Sequence, residues 1–331
     1  KEHRELFFDI EVEVTDGFPE PSKAQNKVTS IAMYTKHDGK YRVYVLGDGQ
    51  DNVKDEVDIR FYTTESELLK EFLRYWIKVQ PTMVTGWNTN GFDIPYLYNR
   101  LSKVLGEEFA NALSPIQIVK YNPNKKMYRI AGVSSLDYMD LYRKFTYTQQ
   151  SSYRLDYIGE VEVGMKKVSY EGTLNDLYDN DLQTFIDYNI RDVKILVELD
   201  RKLNFIEIAR GIAHLGHIPY EDINMSSRWL EGAILVYLKK NNIVAPNKPP
   251  RPEKFNAEDK FTGAYVQDPQ RGKHDWVYDL DADMWQERLE WYLNEFYQIA
   301  KSKTVGTTNR PTRESERIQE NTETQGEESK S

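Results

Sequence analysis

A short apolar stretch near the start of the chain carries two acidic residues that restrict how it can fold. Residues 7–12 read Phe-Phe-Asp-Ile-Glu-Val, a composition typical of a buried β-strand. Alternate side chains of a strand share a face, so Asp9 and Glu11 lie side by side and Phe8 and Ile10 face away from them. Adjacent buried carboxylates repel each other and lose hydration unless a positive charge lies between them. Either the strand lies at an edge with its acids in water, or the acids hold a divalent cation.

The next segments predict an α/β domain. Residues 28–34 and 41–46 have the composition of strands, and Asp38-Gly39 between them is a hairpin signal, so the sheet begins with three antiparallel strands. Thr64 to Glu67 has the pattern of a capping box. It opens a helix with the apolar stripe Leu68, Leu69, Phe72, Leu73, Trp76 and Ile77. A short strand at 83–87 and a helix at 92–105, ended by Gly106, complete a mixed sheet flanked by helices.

A second hairpin is predicted further along. Residues 116–121 and 127–131 can pair across the turn-forming sequence Asn-Pro-Asn-Lys-Lys at 122–126. Its basic tip indicates a protruding hairpin, and the alternative is an ordinary surface loop. Residues 133–136 are predicted to form another strand.

The second half of the chain is predicted to be largely helical, with a change of character after residue 245. A helix beginning near Asp181 has a wide apolar face, and two more helices are expected at about 203–216 and 226–241. That face consists of Phe185, Ile186, Ile190, Val193, Ile195, Leu196 and Leu199. A linker marked by Pro246, Pro249, Pro250 and Pro252 follows, then short strands at 262–266 and 276–280. Trp285, Leu289, Tyr292 and Phe296 share one face of an amphipathic helix, and the tail from about 304 is expected to be disordered.

Composition narrows the function classes. The chain has no cysteine, which excludes disulfides and thiolate zinc sites. It contains no run of 18 apolar residues and no signal peptide, so we expect a soluble protein with no membrane partner. The net charge of −9 argues against nucleic-acid binding by bulk electrostatics alone, but is compatible with a local basic groove around an acidic centre.

Two further acids lie in apolar surroundings. Asp93 is at the turn from a strand into a helix, where it could also act as a helix cap. Tyr188 and Asp192 are four residues apart on the helix after Asp181 and so point the same way. Taken alone, the second pair is more typical of a helix surface than of a site.

Taken in order, these acids resemble a known family. Asp9-x-Glu11, then Asn88-x-x-x-Phe-Asp93, then Tyr188-x-x-x-Asp192 resembles the three carboxylate motifs of the DEDD 3′–5′ exonucleases, which have a ribonuclease H-like fold. Within them, the chain resembles the exonuclease region of the family B replicative DNA polymerases of T-even-like bacteriophages. Further similar segments are residues 16–22, 85–88, 92–96, 136–142 and 153–158, and the resemblance extends from about residue 7 to about residue 280.

The resemblance implies a metal-dependent proofreading exonuclease. Two divalent ions, Mg²⁺ or Mn²⁺, would be the cofactors. Asp9 would bind both, Glu11 and Asp192 the ion that activates water, and Asp93 the ion beside the leaving 3′ oxygen. Tyr188 would orient the attacking water. If the chain is phage-encoded, it would act in the cytoplasm of the host cell.

The resemblance also implies contacts with the single-stranded 3′ end of primer DNA. Phe18 occupies the position where the family places an aromatic wedge, and the alternative is simple loop packing. Asn88 would contact the terminal nucleotide. Lys125 and Lys126 tip the hairpin that resembles the family element separating primer from template.

The resemblance is expected to end at the start of the polymerase palm. Residues 262–265 resemble a template-contacting segment, and residues 277–280 resemble the start of the first polymerase motif, after which no second palm Asp, fingers helix or thumb follows. The predicted domains are an exonuclease domain with trailing helices at 1–245, a linker and palm start at 246–281, an amphipathic helix at 282–303 and the tail at 304–331.

Two explanations fit that division: a truncated or interrupted polymerase, or a split polymerase whose second chain carries the palm, fingers and thumb. We hypothesise the second, with the face of Trp285, Leu289, Tyr292 and Phe296 as a docking surface or, alternatively, packed on its own domain. The competing function is that of a non-catalytic DNA-binding or assembly subunit of such a split polymerase.

Overall fold

A computed structural model describes residues 3–245 except 16, 55, 124 and 171, together with residues 247 and 272. The chain divides into two compact units, Lys1–Val236 and Tyr237–Ser331. The first unit holds the fold described below. Within the described residues, no helix is both long and apolar enough to cross a lipid bilayer.

A mixed sheet of seven strands forms the centre of the first unit. In chain order its strands are β1 (Glu5–Val12), β2 (Val28–Thr35), β3 (Lys40–Leu46), β4 (Asn52–Val53), β5 (Val57–Tyr62), β6 (Met83–Thr85) and β9 (Ser134–Ser135). They lie in the order β4-β5-β3-β2-β1-β6-β9. The strands β1, β2 and β3 are antiparallel neighbours, as the hairpin signal predicts, whereas β6 runs parallel to β1 and β9 parallel to β6. Strand β6 pairs only with Glu5 to Phe7, so Asp9 and Glu11 are paired with β2 alone. Both acids are nevertheless partly buried, so the interpretation of an edge strand with its acids in water is wrong.

Helices cover both faces of the sheet, so the predicted ribonuclease H-like α/β class is confirmed. The helices of the described residues are α1 (Glu65–Val79), α2 (Asp93–Leu105), α3 (Glu107–Asn111), α4 (Tyr138–Phe145), α5 (Leu155–Val163), α6 (Leu174–Asn180), α7 (Leu182–Leu203), α8 (Phe205–Gly216) and α9 (Ser226–Lys240). One core cluster joins β1 to α1 and α2, and the other joins the opposite face to α7 and its neighbours.

Strand β1 divides its side chains between these two cores. Leu6, Phe8, Ile10 and Val12 belong to the core with α1 and α2, and Phe7 belongs to the core with α7. Asp9 and Glu11 share the face of Phe7, because strand side chains alternate. They therefore face α7, which packs across β1, β2 and β3. The pairing of β1 with β2 shifts between Glu11 and Val12, an irregularity of the kind found beside active sites.

The helix signals are confirmed with two corrections. Thr64 caps α1 by accepting the N–H of Glu67, but the Glu67 carboxylate binds the hydroxyls of Thr63 and Thr64 and not the backbone N–H that would complete a capping box. Five residues of the predicted stripe are buried, whereas Ile77 is 51% exposed. The long helix α7 begins where Asp181 accepts the N–H of Thr184, and its whole predicted apolar face is buried.

The second predicted hairpin forms, but it is anchored to its surroundings. It consists of β7 (Val119–Asn122) and β8 (Met127–Ile130), which pair with each other in a separate sheet. The Tyr128 ring packs 4.6 Å from that of Tyr98, and the Tyr128 hydroxyl donates to Asn99 Oδ1 at 2.8 Å. These contacts tie the hairpin to α2, while Lys125 and Lys126 at its tip are exposed. The predicted hairpin is therefore confirmed, and the alternative of an ordinary surface loop is wrong.

Several predictions fall outside the described residues. These are the linker marked by Pro246, Pro249, Pro250 and Pro252, the strands at 262–266 and 276–280, the face of Trp285, Leu289, Tyr292 and Phe296, and the tail from 304. The domain boundaries at 245, 281 and 303 stay predictions.

Candidate active site

Three of the predicted carboxylates meet at the junction of β1 and α7. Asp9, Glu11 and Asp192 each offer an oxygen atom, and these atoms all lie within 4.8 Å of one another. We call these three residues the carboxylate cluster. The two residues from β1 are partly buried and Asp192 is buried. The cluster joins parts of the chain that are far apart in sequence, because α7 crosses the face of β1 that carries the acids.

The cluster favours protonation when no cation is bound. Burial, the charge of Asp192 and the charge of Asp93 raise the pKa of Glu11 to about 8, although Lys167 lowers it. Burial first, and then the charges of Glu11, Asp93 and Asp192, raise the pKa of Asp9 well above its usual range. Removing water from these carboxylates is unfavourable unless an additional positive charge compensates them.

The chemistry of the cluster fits a hard divalent cation. All the donor atoms are carboxylate oxygens, which Mg²⁺ and Mn²⁺ prefer. Asp192 Oδ1 is buried and has no hydrogen-bond partner, and a buried polar atom is normally satisfied by some ligand. A cation at this position would satisfy Oδ1 and offset the repulsion among the three acids.

Lys167 is a residue of the site that the motif analysis missed. Its ammonium group binds Asp192 Oδ2 and donates to the Tyr188 hydroxyl at 3.0 Å. Burial lowers the pKa of Lys167, but the charge of Asp192, its hydrogen bond to the lysine, and the interactions with Tyr188 and Asp9 together raise the pKa, so the side chain stays protonated. Lys167 lies between α5 and α6 in a segment without helix or strand, and no periodicity there could have indicated its position.

Asn189 is a second residue that the motif analysis missed. Its Nδ2 donates to Asp9 Oδ2 at 2.9 Å, and its Oδ1 accepts from Ser30 Oγ at 2.7 Å. Both Asn189 and Ser30 are fully buried. This chain of hydrogen bonds fixes the orientation of the Asp9 carboxylate on its strand. Its position in the sequence could have indicated this role, since Asn189 directly follows Tyr188, a predicted residue of the site.

Asp93 lies beside the carboxylate cluster but is not one of its three members. It is the first residue of α2, and the helix cap is the preceding residue, Phe92, whose side chain makes no capping bond. Asp93 Oδ1 accepts the backbone N–H of Ile10 at 3.1 Å, which attaches the start of α2 to β1. The alternative that Asp93 serves as the helix N-cap is therefore wrong. Burial raises the pKa of Asp93 to about 7, although the N–H of Ile10 lowers it.

The loop that leads to Asp93 is held by another carboxylate. Asp137 accepts the N–H groups of Asn88 and Asn90, both at 3.0 Å, and caps α4 through the N–H of Met139. Burial raises the pKa of Asp137 to about 6. Asn88 is exposed and has a φ of +63°, a conformation that asparagine tolerates better than most residues.

The loop also requires a glycine where it leaves β6. A Cβ atom on Gly86 would lie 2.2 Å from Thr89 Oγ1 and 2.6 Å from the carbonyl oxygen of Phe8. The backbone of the loop thus approaches β1 too closely for any side chain at this position.

The structure places Phe18 near Asp93 and the two lysines at the hairpin tip. The Phe18 ring is 81% exposed, and its one described ring contact is with Phe92, 5.5 Å away between centroids. That exposure argues against loop packing as its main role. Lys125 Nζ lies 3.6 Å from Asp222 Oδ1, and Lys126 occupies the tip with a φ of +51°. The contact of Lys125 is therefore with an acid outside the carboxylate cluster.

Comparisons with known proteins agree with the resemblance stated from the motifs. Residues 2–158 match the sequence model of the exonuclease domain of DNA polymerase family B. The chain is 33% identical over 304 residues to the DNA-directed DNA polymerase of Escherichia phage RB69, an alignment covering 83% of this chain and 33% of that protein. It is 30% identical over 290 residues to the DNA-directed DNA polymerase of Enterobacteria phage T4, covering 78% of this chain and 32% of that protein. The chain thus spans about a third of the length of these relatives.

Proposed function

Because residues 2–158 belong to the exonuclease domain of DNA polymerase family B, we propose that this chain is a metal-dependent 3′–5′ exonuclease that proofreads the end of primer DNA. The observation that carries the proposal is the meeting of Asp9, Glu11 and Asp192 within 4.8 Å. A site of this kind has no other evident use in the fold, since burying three acids together opposes folding.

The carboxylates would hold two divalent ions. Asp9 would bind both, Glu11 and Asp192 the first, and Asp93 the second. When bound, such ions supply an activated water and stabilise the charge that develops on the phosphate and on the leaving 3′ oxygen. The uncompensated charge of the cluster and the free Asp192 Oδ1 support this assignment.

Tyr188 and Lys167 would orient the water. An ammonium group can only donate, so the Tyr188 oxygen accepts from Lys167 and its own proton is available to the water. Burial raises the pKa of Tyr188, which keeps that proton in place at neutral pH. Lys167 also fixes the orientation of the Asp192 carboxylate, since it binds Oδ2 and leaves Oδ1 without a partner.

The reaction is hydrolysis of the last phosphodiester bond. The oxygen of the water forms a bond to phosphorus, the bond from phosphorus to the preceding 3′ oxygen breaks, and that oxygen takes up a proton. The products are a nucleoside 5′-monophosphate and a strand shorter by one nucleotide that ends in a 3′ hydroxyl.

The end of the DNA would enter as a single strand. Phe18 is exposed beside Phe92, so its ring is available to stack on an unpaired base, a contact that contributes about 1–3 kcal/mol. Asn88 would contact the terminal nucleotide from the exposed loop beside Asp93. Lys125 and Lys126 would help the hairpin keep primer and template apart.

The proposal is tested with a single-stranded oligonucleotide labelled at its 5′ end. With Mg²⁺, the wild-type chain is expected to yield a ladder of products shortened from the 3′ end, and a chelator should stop the reaction. The Asp9→Ala variant should be inactive, while Asp179→Ala, which removes an exposed acid of α6, should cut like the wild type. Equal degradation by wild type and Asp9→Ala would refute the assignment. DNA binding without any cleavage would favour the non-catalytic subunit.

The chain would act together with the synthetic part of a polymerase. The relatives are DNA-directed DNA polymerases, which supports an exonuclease that works beside a palm, fingers and thumb, and we propose that a second chain carries them. A phage-encoded enzyme of this kind would act in the cytoplasm of the host cell. Co-elution with a chain that carries a palm, fingers and thumb, and recovery of DNA synthesis, are the expected results. Separate elution and no synthesis would count against a split enzyme.

A further inference from the structure

A basic cleft lies next to the carboxylate cluster. It has a volume of about 590 Å³ and is bounded by β5, the segment after α5 and one face of α7. The α7 residues that line it include Asp187, Arg191 and Lys194, which are spaced at helical intervals. Lys167 lines the cleft too, and its ammonium group binds Asp192. One side chain therefore borders both the cleft and the cluster.

The cleft has a strong excess of positive charge. Among the described residues that line it, the cationic side chains are Lys54, Lys166, Lys167, Arg191 and Lys194, and the one acid is Asp187. Such a concentration is unexpected in a chain with a net charge of −9. It is the kind of local basic region that bulk composition leaves possible.

Not all of these cations are neutralised. Lys166 pairs with Glu160 at 2.7 Å, and Lys167 pairs with Asp192. Within the described part of the chain, Lys54 and Lys194 form no salt bridge, and Lys194 lies 5.5 Å from the Tyr41 ring centroid. Arg191 donates through Nε to the carbonyl of Lys166, which leaves its terminal N–H groups available. Three cations can therefore bind an anion here.

Part of the remaining wall of the cleft is apolar, and Asn52, Ser169 and Gln183 form a neutral polar part of it. Val57, Ile59 and Ile190 line the apolar part, and the last two are only 8% and 6% exposed. The volume falls in the range of small-molecule sites, which combine an apolar surface with a few polar groups. A ligand with a doubly charged phosphate at one end and a flat, weakly polar ring at the other matches this division.

We propose that the basic cleft binds a nucleoside 5′-monophosphate. Lys54, Arg191 and Lys194 hold the phosphate, and the nucleoside lies against Ile59 and Ile190. The choice of this ligand rests on the proposed exonuclease function, because a nucleoside 5′-monophosphate is the product of that reaction. Bound there, the product lies next to Lys167, whose ammonium group also binds Asp192.

Calorimetric titration of thymidine 5′-monophosphate into the whole chain tests the proposal. It is done in a chelator, so that neither a metal ion nor hydrolysis takes part. The wild type is expected to bind, and thymidine, which lacks the phosphate, should bind at least tenfold more weakly. Affinity should also fall as salt is added, because salt screens the contact between phosphate and lysine.

Charge reversal in the cleft is the decisive comparison. The pair Lys54→Glu with Lys194→Glu should weaken binding at least tenfold. The pair Lys70→Glu with Lys78→Glu, on exposed positions of α1, changes the net charge equally and should alter binding less than twofold. If the cleft pair fails to fold, the single variant Lys54→Glu replaces it in the comparison, because Lys54 is exposed. This variant should weaken binding at least threefold.

Three results would overturn the proposal. They are no binding by the wild type, equal binding by the cleft pair and the control pair, or binding that disappears in Asp9→Asn but survives in the cleft pair. The outcome is separable from the nuclease assay. If the chain binds the monophosphate through these lysines but never shortens DNA, the proposed cleft stands and the proposed exonuclease function is refuted. If the chain shortens DNA but does not bind the monophosphate, only the proposed cleft is refuted.

Discussion

The two faces of strand β1 differ in what they contribute to the protein. On one face, Leu6, Phe8, Ile10 and Val12 are at most 5% exposed and pack against α1 and α2. On the other face, Phe7 is followed by Asp9 and Glu11, whose pKa values are raised because burial opposes their charge. Within this one strand, the apolar residues stabilise the fold, and the two acids between them destabilise it.

That alternation shows how a buried site can be supported. The apolar face of β1 compensates for the face that carries the acids, since burial of each large apolar side chain contributes about 1.5–3 kcal/mol. The acids remain in place because the apolar face of the strand is packed against α1 and α2, and because β2 pairs with the strand at both acids. If this comparison is right, substitutions on the two faces should have opposite effects on activity and stability.

The largest effect is expected for Glu11→Gln on the acidic face. Loss of one carboxylate from the cluster should lower the rate of hydrolysis on the order of 10³-fold or more. The same change removes a group whose pKa is raised to about 8, so the metal-free protein should melt at a higher temperature at pH 8. Single-turnover rates and thermal melts in chelator measure the two effects. A variant that is both active and less stable would contradict the comparison.

The next effect is expected for Phe8→Ala on the apolar face. Phe8 is fully buried and packs edge-on against Trp76, so truncation should lower the free energy of unfolding by about 3–5 kcal/mol. Urea denaturation measures the loss. Phe18→Ala is the matched control, because an exposed phenylalanine should change stability by less than about 0.5 kcal/mol. A small loss for Phe8→Ala would mean that this face does not support the site.

A smaller effect is expected from pH in the absence of metal. The folded pKa of Glu11 is about 8 against 4.5, and that of Asp93 about 7 against 3.8, so the folded state binds more protons between these values. Stability should therefore fall as pH rises from about 5 to 8, by several degrees in Tm. Mg²⁺ should restore more stability at pH 8 than at pH 5.5, because its ligands must be deprotonated. The Glu11→Gln variant should show a shallower fall, and an unchanged slope would argue against the acidic face as its cause.

The smallest effect is expected for Asp137→Asn, which lies outside both faces but anchors the loop leading to Asp93. An amide offers one acceptor oxygen in place of two, so at least one of the N–H groups of Asn88, Asn90 and Met139 loses its partner. Hydrolysis should slow about 10-fold while the protein remains folded. Asp140→Asn in the same helix is the control. A lower Tm with unchanged kcat and KM would restrict Asp137 to a structural role.

The sequence predicted most of what depends on local periodicity. The alternation in β1 and the apolar face of α7 could be identified because each lies within one continuous element. The strands β4 and β5 were missed, since Asp58 and Arg60 interrupt the apolar residues of β5 and β4 is only two residues long. The capping box shows the limit of local patterns. Thr64 with Glu67 has the signature without the reciprocal bond, whereas Thr173 with Asp176 makes both bonds.

Contacts between distant segments could not be predicted in this way. Lys167 reaches Asp192 from an irregular segment, and Asn189 reaches Asp9 across 180 residues of sequence. Nothing in the residues around Lys167 distinguishes it from Lys166, which points to Glu160 instead. The carboxylates themselves could be predicted because their order along the chain resembles that of a known family. That they lie close together could be established only from the fold.

The separation of Asp9 from Asn189 also has a consequence for how the protein is made. At a synthesis rate of about 5–20 residues per second, the ribosome needs roughly 10–40 s to travel from one to the other. During that interval β1 can pair with β2, while Asp9 and Glu11 remain hydrated because α7 has not yet been synthesised. Their negative charge then opposes aggregation of the incomplete sheet until α7 packs against it.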